Sequence, residues 1–325
     1  ELMSNLALGF GTALTLTNLF YCFIGVLLGT LIGVLPGIGP LATIAMLLPI
    51  TYKLSDPTTA LIMLAGIYYG AQYGGSTTAI LINMPGEMAS IATCIDGYKM
   101  AQQGRAGPAL AVAALGSVFA GVVATFFIAL FAPPLAKIAL LFGPAEYFSL
   151  MMLGLIAAIV LAQGSLISAL GMIVFGLLLG TVGIDVATGA YRMTFGIPEL
   201  ADGIGVVPIA MGLFGVGEII RNLETREQLT VMEGRITHLW PSRDDFRRCW
   251  PVVLRATGFG SLLGLLPGGG AMIASFAAYA MEKKLADDPA RFGNGAVEGV
   301  AGPEAANNAG AQTSFIPLLT LGIPS

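Results

Sequence analysis

Charge is scarce in this chain. Only 10% of its 325 residues are Asp, Glu, Lys or Arg, against about 25% in a soluble domain. The deficit is concentrated: residues 2–52, 57–86, 256–281 and 305–325 have none, and only Lys137 and Glu146 interrupt 107–184. Other chemistry is scarce too. The one histidine, His238, sits in a polar loop and reads as solvated, and the three cysteines (Cys22, Cys94, Cys249) show no CxxC or metal spacing. HExxH, GxSxG and Walker A phrases are missing, so the chain reads as no enzyme, with no cofactor and no nucleic-acid partner; any pumping must draw on an ion gradient or a separate protein. No basic stretch precedes a cleavage site, so no removable signal peptide is expected. The chain starts at Glu1, which suggests missing residues.

What is abundant is apolar. The composition is 56% hydrophobic and mean hydropathy is +0.83. A bilayer span takes about 20 predominantly apolar residues, and the uncharged stretches supply several. The expected fold class is therefore all-α, a polytopic transmembrane helical protein. Apolar candidates run roughly 6–35, 41–52, 58–82, 107–131, 134–161, 164–184, 201–220, 250–266, 271–281 and 303–325.

One phrase occurs twice. Gly29-Thr-Leu-Ile-Gly33-Val-Leu-Pro36-Gly37-Ile-Gly39 returns as Gly260-Ser-Leu-Leu-Gly264-Leu-Leu-Pro267-Gly268-Gly269-Gly270, its glycines and proline in register 231 residues on. Gly70-Ala-Gln72 also returns as Gly310-Ala-Gln312. Hydrophobic segments interrupted by Gly and Pro at matching places in two halves point to a transporter's binding site. The short pieces 41–52 and 271–281 follow the breaks and read as second halves of discontinuous helices. The expected organisation is a first repeat over 1–220, with a broken helix at 36–40 and a polar re-entrant stretch at 70–87. A polar loop follows at 221–249, and a second repeat, inverted, begins at 250–325 with its break at 267–270. Seven arginines crowd residues 221–255, which by the positive-inside rule places that loop in the cytoplasm. Such a basic loop could also meet lipid head groups or a partner.

The breaks have a physical use. A half-helix opening at a Pro-Gly turn presents free N–H groups at the positive end of its dipole and binds anions. Gly37, Gly39, Gly268, Gly269 and Gly270 are the candidate backbone contacts. Neutral side chains flank both breaks: Gln72, Tyr73, Ser76, Thr77, Thr78 and Asn83 in the first half, Asn307, Asn308, Gln312, Thr313 and Ser314 in the second. Their donors suit carboxylates, and their oxygens suit Na⁺, whose ligands the residues leave open. Glu304, Asn83 and Asn308 are the coupling-ion candidates. Glu87 and Asp96, with Lys99 and Arg105, read as a surface hairpin. A passive anion channel or a structural scaffold subunit remains a competing class for the same residues.

At these residues the chain resembles the large membrane subunit of the tripartite tricarboxylate transporters, the TctA family. The resemblance runs almost end to end. It rests on Gly33-Val-Leu-Pro-Gly-Ile-Gly-Pro40, Tyr69-Gly-Ala-Gln-Tyr-Gly-Gly-Ser-Thr-Thr78 and Asn83-Met-Pro-Gly-Glu87. It rests also on Asp96-Gly-Tyr with Gly104-Arg-Ala-Gly-Pro108, and on Pro303-Glu-Ala-Ala-Asn-Asn-Ala309. It implies a multi-pass permease of the bacterial inner membrane that imports di- or tricarboxylates with Na⁺. It also implies two partners, a small membrane subunit and a periplasmic substrate-binding protein. Family members are longer, so the second repeat reads as cut short at Ser325.

Overall fold

The computed structural model describes residues 2–35, 38–139, 165–185, 188–204, 238–266 and 270–321, with isolated positions in 141–152 and 209–224. Helices dominate: α1 (Leu2–Ala13), α2 (Leu16–Gly33), α3 (Pro40–Thr51), α4 (Pro57–Ile82), α5 (Ile91–Gln102), α6 (Ala106–Ala139), α7 (Leu166–Gly180), α8 (Arg243–Leu263), α9 (Gly270–Leu285), α10 (Glu298–Thr313) and α11 (Phe315–Leu321). A two-residue antiparallel ladder, β1 (Gly183–Ile184) with β2 (Tyr191–Arg192), is the sheet among the described residues. Two helices there are long and apolar enough to cross a bilayer, Leu16–Gly33 and Ala106–Pro134.

The first apolar segment divides where a polar cap intervenes. Thr15 caps α2 by accepting from the Asn18 N–H, and Asn18 Nδ2 donates to the Thr12 carbonyl at 2.8 Å. Thr59 Oγ1 donates to Asn18 Oδ1 at 2.6 Å, tying α2 to the start of α4. Asp56 caps α4, accepting from the N–H groups of Thr58 and Thr59.

From that tie α2 and α4 run side by side in the same direction. A side chain on Gly25, Gly29 or Gly33 would strike the backbone at Met63, Ile67 or Ala71 respectively. Contact this close lets two backbones pack where lipid supplies no hydrophobic drive. The same glycine-rich sequence overturns one expectation. The stretch from Gly70 to Ile82 is continuous helix, not an irregular re-entrant segment, and the chain turns only at Asn83, which caps α4 in the left-handed conformation (φ 58°). Its glycines serve packing: Gly70 and Gly74 lie on the α2 backbone and Gly75 on Gly86.

Both copies of the duplicated phrase form helix, break and short helix. α2 stops at Gly33 and α3 opens at Pro40, behind an N-cap at Gly39. α8 stops at Leu263 and α9 opens at Gly270, whose missing side chain lets it lie on Leu263 and Gly264. Arg255 pairs with Glu282 at 2.5 Å, so α8 and α9 form an antiparallel hairpin with the break at its tip. α10 then lies along α8 in the same direction, Gly260 against Ala306 and Gly264 against Gly310. α8 begins at Arg243, inside the stretch expected to be loop, because Ser242 and Asp245 form a capping box there. The core around α10 is built mainly of alanines, among them Ala256, Ala274, Ala278, Ala301, Ala305 and Ala309.

Candidate functional site

The second half of the chain brings Glu304 to the first. Glu304 lies in α10 and is 2% exposed. Its Oε2 accepts from Ser76 Oγ of α4 at 2.9 Å, and its Oε1 from Thr93 Oγ1 of α5 at 2.5 Å. Ser76 faces inward because it shares the Tyr69, Gln72 and Ser76 face of α4, set by i, i+3, i+7 spacing. One turn along α10, Asn307 Nδ2 donates to Glu87 Oε1 at 2.9 Å. Asn308 Nδ2 donates to the Glu304 carbonyl at 3.0 Å and to Ser117 Oγ of α6 at 2.7 Å. Ser275 of α9 closes the ring, donating to the Ala89 carbonyl at 2.7 Å.

The first break adjoins this cluster. A Cβ on Gly39 would lie 3.4 Å from the Gly86 carbonyl and 3.9 Å from Glu87 Cβ. The second break reaches it through α10, since Gly310 packs on Ala271, one turn from Asn307. Glu87 and Glu304 thus stand in one cluster whose hydrogen-bond partners are neutral hydroxyls and amides. The arginine ion pairs among the described residues involve other acids. Five buried side-chain oxygens lack a partner among the described residues: Tyr69 Oη, Gln72 Oε1 and Asn307 Oδ1 near the cluster, and Thr257 Oγ1 and Ser261 Oγ on α8. Each such orphan costs about 1–3 kcal/mol. Carboxylate, amide and hydroxyl oxygens of this kind are the ligand types that a hard cation takes.

The structure separates the expected site residues. Ser76, Glu304, Asn307 and Asn308 meet, and Gln72 and Gly39 border them. Thr77, Thr78, Thr313 and Ser314 hydrogen-bond carbonyls of their own helices, the usual fate of a helix hydroxyl. Tyr73 is 42% exposed. Asn83 is an exposed helix cap rather than part of the cluster. Gln312 Nε2 turns to Thr125 of α6 at 2.9 Å. Gly270 starts α9; Gly37, Gly268 and Gly269 lie outside the described residues.

The expected surface hairpin around Glu87 and Asp96 is not found. Glu87 joins the cluster and Asp96 is wholly buried. Asp96 Oδ1 accepts from the N–H groups of Gly293, Gly295 and Ala296, and its Oδ2 from Tyr279 Oη. Arg105 instead reaches Asp245. Thr93, Ser117 and Ser275 escape sequence reasoning; their sole signal is a lone hydroxyl in an apolar helix.

Over all 325 residues the chain is 65% identical to an uncharacterized 52.8 kDa protein in the TAR-I ttuC' 3' region of Agrobacterium vitis, of which it spans 64%. Over 66 residues, 20% of this chain and 27% of the relative, it is 74% identical to an uncharacterized protein in the TAR-II ttuC' 3' region of the same organism. No solved structure matches it. The description of the tripartite tricarboxylate transporter TctA family matches residues 19–325. That match covers nearly the whole chain: it belongs to the tripartite tricarboxylate transporter TctA family.

Proposed function

We propose that this chain is the translocating core of a secondary transporter that imports di- or tricarboxylates with Na⁺ across the bacterial inner membrane. It would work with a small membrane subunit and a periplasmic substrate-binding protein. The observation that carries this reading is the meeting of Glu304 and Asn307 from the second half with Ser76, Glu87 and Thr93 from the first, beside a broken helix. Two carboxylates repel an anion, so the cluster suits the cation. The anion would then sit against the N–H groups that open α3 and α9, where the dipole ends are positive. A cation between them offsets charge on both sides, which makes binding of one depend on the other. The two helix–break–helix segments would enter the membrane as inverted repeats, with loop 221–249 in the cytoplasm.

The test is uptake of labelled citrate-like carboxylates by proteoliposomes holding the full-length protein, the small subunit and the binding protein. Uptake is expected to require an inward Na⁺ gradient and to fall at least about tenfold in Glu304→Gln, the effect of losing one charged ligand contact. Equal uptake without Na⁺ would rule out the coupling. Unaltered transport in Glu304→Gln, Asn307→Ala and Gly39→Val together would remove the site and leave the permease reading standing.

A further inference from the structure

A second feature lies away from this cluster, on the outer face of α6 and α8. Val112, Leu115, Gly116 and Phe119 of α6 face Phe246, Trp250 and Val253 of α8 across an apolar groove, with Pro241 and Cys249 completing it. At about 50 Å³ it is far below the 300–1,000 Å³ of a compact small-molecule site. Its shape comes from aromatic packing. The Phe119 and Trp250 rings meet edge-on at 5.1 Å, and Phe246 stacks on Trp250 with centroids 6.2 Å apart. Phe246 and Trp250 are nevertheless 55% and 45% exposed.

Charge marks one end of the groove. Arg243 and Arg247 precede Trp250 by seven and three residues, so helical spacing puts them on its face of α8. Both are exposed, and neither enters an ion pair among the described residues; Arg248 pairs with Asp244, and Arg105 with Asp245. From Arg243 to Val253 the helix rises about 15 Å. That is about half of a 30 Å hydrocarbon core, the depth of a single leaflet. Indole at the boundary with arginine outside it is the pattern of an interfacial anchor.

We infer that this face is a binding site for one anionic phospholipid, its head group on Arg243 and Arg247 and one acyl chain along the groove. The inference rests on the membrane placement of the family and not on the transport reading. Charge complementarity selects the occupant: two exposed guanidinium groups, without an ion pair among the described residues, attract phosphate at head-group level, and the groove below them is apolar.

The two tryptophans of the chain make the test direct. Trp240→Phe, with phenylalanine also replacing any tryptophan outside these 325 residues, leaves Trp250 as the fluorophore. The full-length variant is placed in phosphatidylcholine bilayers carrying equal fractions of brominated phosphatidylglycerol or brominated phosphatidylcholine. Two arginines predict enrichment of the anionic lipid on the order of tenfold, read as stronger quenching by brominated phosphatidylglycerol. Arg243→Gln with Arg247→Gln, both on exposed positions, should abolish that preference and leave general quenching intact. Equal quenching by the two lipids, or a preference that survives both substitutions, overturns the inference. Absence of quenching by either overturns it too, and would show protein covering the groove. Transport is not measured, so either result leaves the proposed function untouched.

Discussion

Ser76 and Thr93 hold Glu304 from two helices that precede it by more than two hundred residues. Thr93→Val keeps the shape and removes a donor from a buried carboxylate, a cost of about 1–3 kcal/mol. The unfolding midpoint in detergent should fall, and adding Glu304→Gln should recover much of the loss, because it removes the charge that needed the donor. A single variant as stable as the parent would show that this bond does not hold the carboxylate. Asp245, in the polar first turn of α8, makes a second case. Burial pushes its carboxyl up, but hydrogen bonds from Ser242 and Arg105 outweigh this and hold it below the usual range. A lowered folded pKa gives stability that is complete above the ordinary value of about 3.9 and is lost as pH falls through the folded one. Asp245→Asn should therefore cost stability at pH 7, and the gap to the parent should narrow below about pH 4. Thermal melts at the two pH values check this. At this scale the sequence was a partial guide. Glu304 and Asn307 stood out because charge and amides are rare in such flanks. Thr93, Ser117 and Ser275 did not, because a lone hydroxyl in an apolar helix looks the same whether it serves its own backbone or a distant carboxylate. Thr77 and Thr313 were gathered in for the same reason.

Between helices, glycine decides the spacing. A methyl at Gly29 would be driven into the Ile67 backbone, and one at Gly264 into Gly310 and Thr313, whereas Gly9 has open space. Gly29→Ala and Gly264→Ala should each destabilise by about 1–3 kcal/mol through overpacking. Gly9→Ala, in the middle of α1, should be neutral or slightly stabilising. Folded yield and melting temperature of the three variants distinguish them; equal yields would remove the packing account. The ends of α2 at Gly33 and α8 at Leu263, and the fresh starts of α3 and α9, were legible because Pro-Gly ends a helix by its own geometry. Continuity of α4 was not. Gly70, Gly74 and Gly75 read equally well as flexibility or as contact, and only the neighbouring helix α2 decides for contact.

In the whole molecule the two halves are joined by bonds that span long stretches of chain: Ser76 to Glu304, Asn307 to Glu87, Ser275 to Ala89 and Gly293 to Asp96. No local pattern predicts such pairs, which is why Asp96 looked like a surface acid. They predict that the connection between the halves is dispensable for their association. Trypsin cleaves after arginine, and Arg221, Arg226 and Arg235 lie between the halves in the sequence. The fragments should stay together through size-exclusion chromatography in detergent; separation would show that the interface is weaker than these bonds imply.

Asp96 carries a mechanical consequence. Three backbone N–H groups of the α9–α10 turn and the Tyr279 hydroxyl all close on one side chain of α5. The turn therefore cannot slide relative to α5 without unmaking four bonds together, and it behaves as a rivet. Thr93 stands one helical turn before Asp96 on α5, and Glu304 two turns beyond Ala296. A shift of α5 or α10 at the cluster therefore pulls on the turn at 293–296 through both helices.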